Sequence, residues 1–224
     1  MSDPTAPTRR FYTRWARLYD LLAVRTPGIG GLRRAAVDRL GLQPGDTVVE
    51  MGCGTGANLP LLRDRVGPEG QVIGVDASAG VLRLAAARID RAGWANVAVL
   101  RGDATRPPVG SDGADAVFAA LVVGLFDDPA GVVDRWADCV APGGRLGLLD
   151  LARSSKPAAR PLNGLFRRFV TTANPGPVRQ SADPLTTLDR RVAAAHRRLH
   201  ERCETATYGT RALGFARSSA GTVG

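Results

Sequence analysis

Residues 48–58 read VVEMGCGTGAN: a short apolar run, an acid, and three glycines at alternate positions. An apolar run of this length that stops at glycines reads as a buried strand. Glycine supplies the positive φ, or the close backbone approach, that a ligand-facing loop needs. Ala57–Val66 then reads as a helix, so Gly52, Gly54 and Gly56 lie between a strand end and a helix start, where backbone N–H groups can meet a ligand. No other stretch limits the fold as much.

Strand and helix signals alternate on both sides of it. Trp15, Leu18, Tyr19 and Leu22 share a helical face, residues 27–31 break it, and Leu32–Leu40 predicts a short helix that stops at Gly41. Strands are predicted at Thr47–Met51, Gln71–Asp76, Val97–Leu100, Asp115–Ala119 and Arg145–Asp150. Helices are predicted between them at Gly80–Ala92, with Ser78 as its N-cap, and at Asp128–Val140. Ala141–Gly144 reads as a turn, and Leu188–His200 as a last helix. Glu204–Tyr208 and Arg211–Arg217 then read as a hairpin around Gly209, and residues 1–8 and 218–224 as disordered tails. Strands spaced by helices argue for an α/β fold with a doubly wound, mostly parallel, seven-stranded sheet and a C-terminal antiparallel hairpin. Ligands of such sheets sit beyond the carboxyl ends of the strands, where Glu50, Gly52, Asp76, Asp103 and Ala120 fall.

The 224 residues suit one domain: a helical cover over 1–44, a ligand-binding core over 45–152, and a lid segment, helix and hairpin over 153–224. MSDPTAPTRR has no signal-peptide character, and the longest uncharged apolar stretch, Ala116–Phe126, is too short to span a bilayer. Cys53, Cys139 and Cys203 are scattered without metal-ligand spacing, so a reduced, cytoplasmic setting and no metal are expected. His196 and His200 stand one helical turn apart, and two histidines alone make a weak metal site. The net charge of +9 is unevenly placed: residues 40–152 carry −5, and the flanks +14. Basic flanks suit an anionic surface or substrate, or simply an arginine-rich exterior.

Gly52–Ala57 also satisfies G-x-G-x-x-G/A, with Asp76 twenty residues past Gly56, so a nicotinamide cofactor fits the loop alone. Glu50 inside the strand end and Arg101-Gly102-Asp103-Ala104 after the third strand add an acid facing a cationic ligand and a place for an adenine amino group. With these, the sequence resembles the class I S-adenosylmethionine-dependent methyltransferases. VVEMGCGTG resembles their first motif, VIGVDAS the second-strand acid motif, VLRGDA the adenine motif, and APGGRLGLLD the closing turn and strand. The matches cover about residues 45–152. The resemblance implies S-adenosylmethionine as cofactor: the loop Glu50, Gly52, Cys53, Gly54 and Gly56 around its methionine end, with loop N–H groups receiving the carboxylate. Asp76 and Ala77 would take the ribose, Asp103 and Ala104 the adenine, and Ala120 the floor. Cys53 reads as a small loop residue rather than a nucleophile, and no general base stands out.

FYTRWARLYDLLA resembles the entry segment of phosphatidylethanolamine N-methyltransferases and quinone C-methyltransferases, which implies Tyr12 and Tyr19 over the cofactor. The same segment also reads as an ordinary amphipathic helix packed on the sheet. The chain lacks the N-terminal signature of the menaquinone enzymes. Ala120–Gly124 lacks the Asn/Asp-Pro-Pro-Tyr/Phe motif of base-amino methyltransferases, which counts against nucleic-acid bases. A small-molecule or lipid-like acceptor is therefore expected, with an RNA methyltransferase or a non-catalytic cofactor-binding relative as alternatives. Finally, Leu162, Leu165, Phe166, Phe169 and Val170 form one helical stripe beside Arg160, Arg167 and Arg168. Such a helix can cover an apolar acceptor pocket, pack as core, or make peripheral contact with a membrane.

Overall fold

Val48 and Val49 point to opposite faces of one strand, and both are completely buried. A sheet with apolar residues on both faces needs a helical layer on each. The computed structural model, which describes residues 28–173 and 183–224, with only backbone described at 172–173, supplies both layers. The strands are β1 (Thr47–Met51), β2 (Gln71–Asp76), β3 (Val97–Arg101), β4 (Ala114–Ala120), β5 (Val140–Leu151), β6 (Cys203–Arg211) and β7 (Ala216–Val223). They form one seven-stranded sheet in the order β3-β2-β1-β4-β5-β7-β6. The first five run parallel, and β7 is antiparallel to both β5 and β6.

The helices are α1 (Ile29–Leu40), α2 (Leu59–Val66), α3 (Ala79–Ala92), α4 (Pro129–Ala137), α5 (Arg160–Ala173) and α6 (Pro184–Arg202). One core packs Val37, Leu40, Leu59, Leu62, Ala85 and Ile89 from α1–α3 against Val48, Val72 and Phe118. The other packs Val133, Trp136, Leu188, Val192 and Leu199 from α4 and α6 against Val49, Met51, Val117 and Leu148. Each of the largest of these side chains contributes roughly 2–3 kcal/mol by leaving water. Trp136 is fully buried and donates its indole N–H to the Ala104 carbonyl at 2.7 Å, which avoids an unpaired buried donor. Among the described residues, no helix is long and apolar enough to cross a membrane.

Several boundaries depart from the sequence reading. The first described helix starts at Ile29, so Gly30 and Gly31 lie inside it, and the left-handed Gly28 precedes it. The helix expected from Ala57 starts at Leu59, because residues up to Asn58 still belong to the glycine loop. The helix expected to reach Val140 stops at Ala137; Val140 opens β5, and residues 141–144 form an irregularity within that strand. The hairpin turns at 212–214 rather than at Gly209, which lies inside β6. Residues 218–224 are no loose tail: up to Val223 they form β7, between β5 and β6. ARSSAGTV has too few large apolar residues to advertise a strand. Small side chains are what this position takes: Ser219 and Ala220 are buried, and a Cβ at Gly221 would stand 2.5 Å from the Thr205 carbonyl. The expectations for the entry segment, Tyr19 and residues 1–8 lie outside the described residues.

Candidate functional site

The carboxyl ends of β1, β2 and β4 lie side by side, and the glycine loop springs from the first of them. Gly52, Gly54 and Gly56 all have positive φ, at 70°, 56° and 76°. Two of them are also sterically required. A Cβ on Gly52 would stand 2.7 Å from Val122 Cγ2, and one on Gly56 would stand 2.6 Å from Leu59 Cδ1. Around Gly54 a Cβ would meet nothing within 4 Å, so the backbone there borders open space. That is where a ligand can approach the loop.

Asp76 ends β2 and closes the loop from the other side. Its two carboxylate oxygens accept the N–H groups of Gly54, at 3.0 Å, and of Ser78, at 2.8 Å. Burial raises its pKa, and these two bonds pull it back. Ser78 does occupy the N-cap position of α3, but its side chain makes no capping bond. The other loop N–H groups are largely engaged within the fold. Gly52 and Cys53 both donate to the Val75 carbonyl, at 2.8 and 3.0 Å, and Gly56 donates to the Cys53 carbonyl at 2.9 Å. A carboxylate that approached the Gly52, Cys53 or Gly56 N–H would compete with these bonds, which spacing alone could not reveal.

Glu50 is completely buried beneath the loop. Asn58 donates its amide to Glu50 Oε1 at 2.6 Å, and Arg33 donates to Asn58 Oδ1 at 2.8 Å. Glu50 Oε2 has no hydrogen-bond partner. Burial pushes the carboxyl up to about 7, against the pull of Asn58 and then of Arg33. Neither Asn58 nor Arg33 stands out in the sequence. Asn58 is marked only by its place at the loop–helix junction, and a buried arginine on the glycine-rich start of α1 leaves no signal. Arg88 was missed in the same way; it reaches from α3 to the Gly56 carbonyl at 2.9 Å.

Cys53 is buried against Gly74, where a Cβ would come within 2.8 Å of its sulfur. Burial first, then the nearby Glu50 and Asp76, raise its pKa well above the ordinary range, so the thiol stays protonated. On the β2–β3 side, the Ala77 carbonyl accepts from Arg101 at 3.4 Å. Asp103 turns back on its own loop, where its Oδ1 accepts from the N–H and hydroxyl of Thr105, at 2.9 and 2.8 Å. Ala104 is buried. Ala120 closes β4, followed by Leu121 with φ 63°, a left-handed conformation rare outside glycine. The turn that follows brings Val122 against Gly52. His196 lies on a different part of the fold from the glycine loop: it is buried between Asp150 and Ser219, and His200 reaches the same serine at 3.3 Å. Among the described residues no group of three or more His, Cys, Asp or Glu side chains could hold a metal ion.

The donor set matches a nucleoside with a cationic substituent. It offers a partly buried carboxylate at the end of β2, open backbone at Gly54, and an orphaned carboxylate oxygen on Glu50. Residues 48–144 match the family model described as a methyltransferase domain. The chain is 34% identical over 137 residues to nocamycin O-methyltransferase of Saccharothrix syringae, covering 61% of this chain and 48% of that one. Its fold is similar to that of a SAM-dependent methyltransferase from Aquifex aeolicus, at TM-score 0.67 and 17% identity over 95% of this chain and 98% of the other. It is also similar to phosphoethanolamine N-methyltransferase 2 of Haemonchus contortus in complex with S-adenosyl-L-methionine. There the TM-score is 0.69 at 18% identity, over 94% of this chain and 46% of that one. The chain spans 29–58% of the length of the curated relatives it matches.

Proposed function

We propose that the chain, acting as one domain, binds S-adenosylmethionine at the carboxyl ends of β1–β4 and methylates a small, lipophilic or amphipathic acceptor. The observation that carries this reading is the pairing of Asp76 with the open glycine loop above the buried Glu50. The cofactor supplies a methyl group on a sulfonium, which an acceptor atom displaces in line. Asp76 keeps lone pairs for the ribose hydroxyls while it holds Gly54. Ala77 and the Asp103–Ala104 loop flank the adenine edge, and Glu50 presents negative charge below the methionine end. Leu121 and Val122, held beside Ala120, wall the methyl-transfer end. Tyr19 belongs to this reading through the resemblance of its segment alone. The relatives named for nocamycin and phosphoethanolamine favour a small acceptor. Phe166, half-buried against the α6-side core, makes α5 the element to cover it.

Asp76→Ala removes the charge-assisted bonds and unties Gly54, so affinity for S-adenosylmethionine is expected to fall about 10- to 100-fold, for the loss of ~1.5–3 kcal/mol. Calorimetry that finds unchanged affinity would sink the assignment. Gly54→Val should behave differently. Its Cβ meets no atom and the left-handed backbone costs a side chain roughly 1–2 kcal/mol, so the fold survives by circular dichroism while the cleft is filled. Wild-type-like cofactor binding in that variant would place the ligand elsewhere. For the acceptor, S-adenosylhomocysteine release is measured with small hydroxyl, amine and quinone compounds beside bulk RNA. Turnover with RNA alone would overturn the small-molecule reading.

A further inference from the structure

The exposed large apolar side chains of the described residues are six, and four of them lie on two neighbouring elements. Leu162, Leu165 and Phe169 on α5 are 42%, 68% and 48% exposed, and Leu213 at the β6–β7 turn is 51% exposed. The α5 stripe is split lengthwise. Val170 is buried, and Phe166 packs on Phe215 with ring centroids 5.1 Å apart. The other edge stays partly exposed, with Phe169 stacked on Phe166 at 6.4 Å. The turn is fastened beside this helix. Ser154 exchanges hydrogen bonds with Asn163 of α5, at 3.1 and 3.2 Å, and donates its hydroxyl to the Leu213 carbonyl at 2.5 Å. Ala212 and Leu213 have φ of 50° and 55°, so an exposed leucine is held outward on backbone that disfavours any side chain.

Cations outnumber acids around this apolar edge, where Asp189 holds Arg153 in an ion pair at 3.0 Å. From residue 151 to 182 the sequence carries Arg153, Lys156, Arg160, Arg167, Arg168 and Arg179 and no acid. Lys156, Arg160 and Arg167 are exposed. We propose that the exposed edge of α5 and the Leu213 turn dock on the surface of an anionic lipid bilayer, the apolar side chains entering the interface and the cations meeting the headgroups. A helix with a half-open apolar stripe and basic flanks fits such a surface. The chain's own residues 1–27 carry five arginines against two acids, so their charge disfavours them as the cover of a basic face. The proposal does not depend on the acceptor, and its failure leaves the methyl-transfer reading standing.

The test is sedimentation of the full chain with vesicles, read without any methyl-transfer assay. Vesicles of mixed phosphatidylglycerol and phosphatidylcholine should bind at least about tenfold more protein than pure phosphatidylcholine, and about 0.5 M salt should release most of it. Leu165→Ser with Phe169→Ser, both at exposed positions, should lower binding by about tenfold or more with an unchanged thermal midpoint. Arg160→Glu with Arg167→Glu, which leaves the apolar edge intact, should do the same. Equal binding to neutral vesicles, no binding at low salt, or unchanged binding in both double variants overturns the proposal. Should the serine variant unfold, the arginine pair and the lipid dependence of the wild-type chain still decide.

Discussion

Asp150→Ala is expected to cost roughly 1–3 kcal/mol of folding stability, the usual range for leaving buried hydrogen-bonding groups without their partner. Asp150 is 2% exposed at the end of β5, and its Oδ2 lies 3.3 Å from Nε2 of His196, itself 5% exposed. His196 Nδ1 lies 2.7 Å from the hydroxyl of the buried Ser219 on β7. Burial raises the Asp150 pKa, and His196, followed by the Val123 N–H, works against that rise. Deleting the carboxylate therefore strands His196 and the Val123 N–H in apolar surroundings. Because Val123 follows directly on Val122, the wall against Gly52 loosens with it. Urea denaturation reads the loss. The paired Asp150→Leu, His196→Leu variant should recover part of it, since neither partner is then left alone. A loss below about 1 kcal/mol for Asp150→Ala would mean that solvent reaches the pair.

This cluster also marks where sequence reading stops. The parallel strands announced themselves through apolar runs ending at glycine or an acid, and β1 and β2 fall where the pattern placed them. Gly52 and Asp76 were legible for the same reason: a strand end forces the chemistry of the next few residues. Asp150 and His196 are separated by 46 positions, and the stripe rule placed His196 on a helix face without saying which strand that face meets. β7 was hidden because its buried positions hold the small residues Ser219, Ala220 and Gly221, which leave no apolar alternation to read. Arg33 and Asn58 escaped because they act through Glu50, and a partner of a partner has no fixed spacing. The hairpin turn was misread at Gly209, which lies in β6 without positive φ; Ala212, Leu213 and Gly214 together adopt it instead.

Glu50→Gln should make the cofactor-free protein more stable at pH 8 by up to about 3 kcal/mol, with no gain at pH 4.5. The sign follows from the two states of the carboxyl. In the unfolded chain it titrates near its ordinary value of 4.5, and in the native protein near 7. Between these values the native state keeps a proton that the unfolded state has released, so wild-type stability falls as pH rises through that window. Above it both states are ionised and the full cost remains. A glutamine has no charge to bury, and its amide oxygen can still accept from Asn58. The unpartnered Oε2 position then holds an amide N–H instead of a carboxylate oxygen, which trims the gain. Denaturation of both proteins across pH 4–8 checks this, and parallel stability curves would show that Arg33 and Arg88 keep Glu50 ionised throughout. A group whose charge weakens the empty fold has to be repaid elsewhere, and a cationic ligand above Glu50 is the natural source. The same substitution should therefore weaken binding of positively charged S-adenosylmethionine more than that of neutral S-adenosylhomocysteine, a difference that calorimetry reads without turnover.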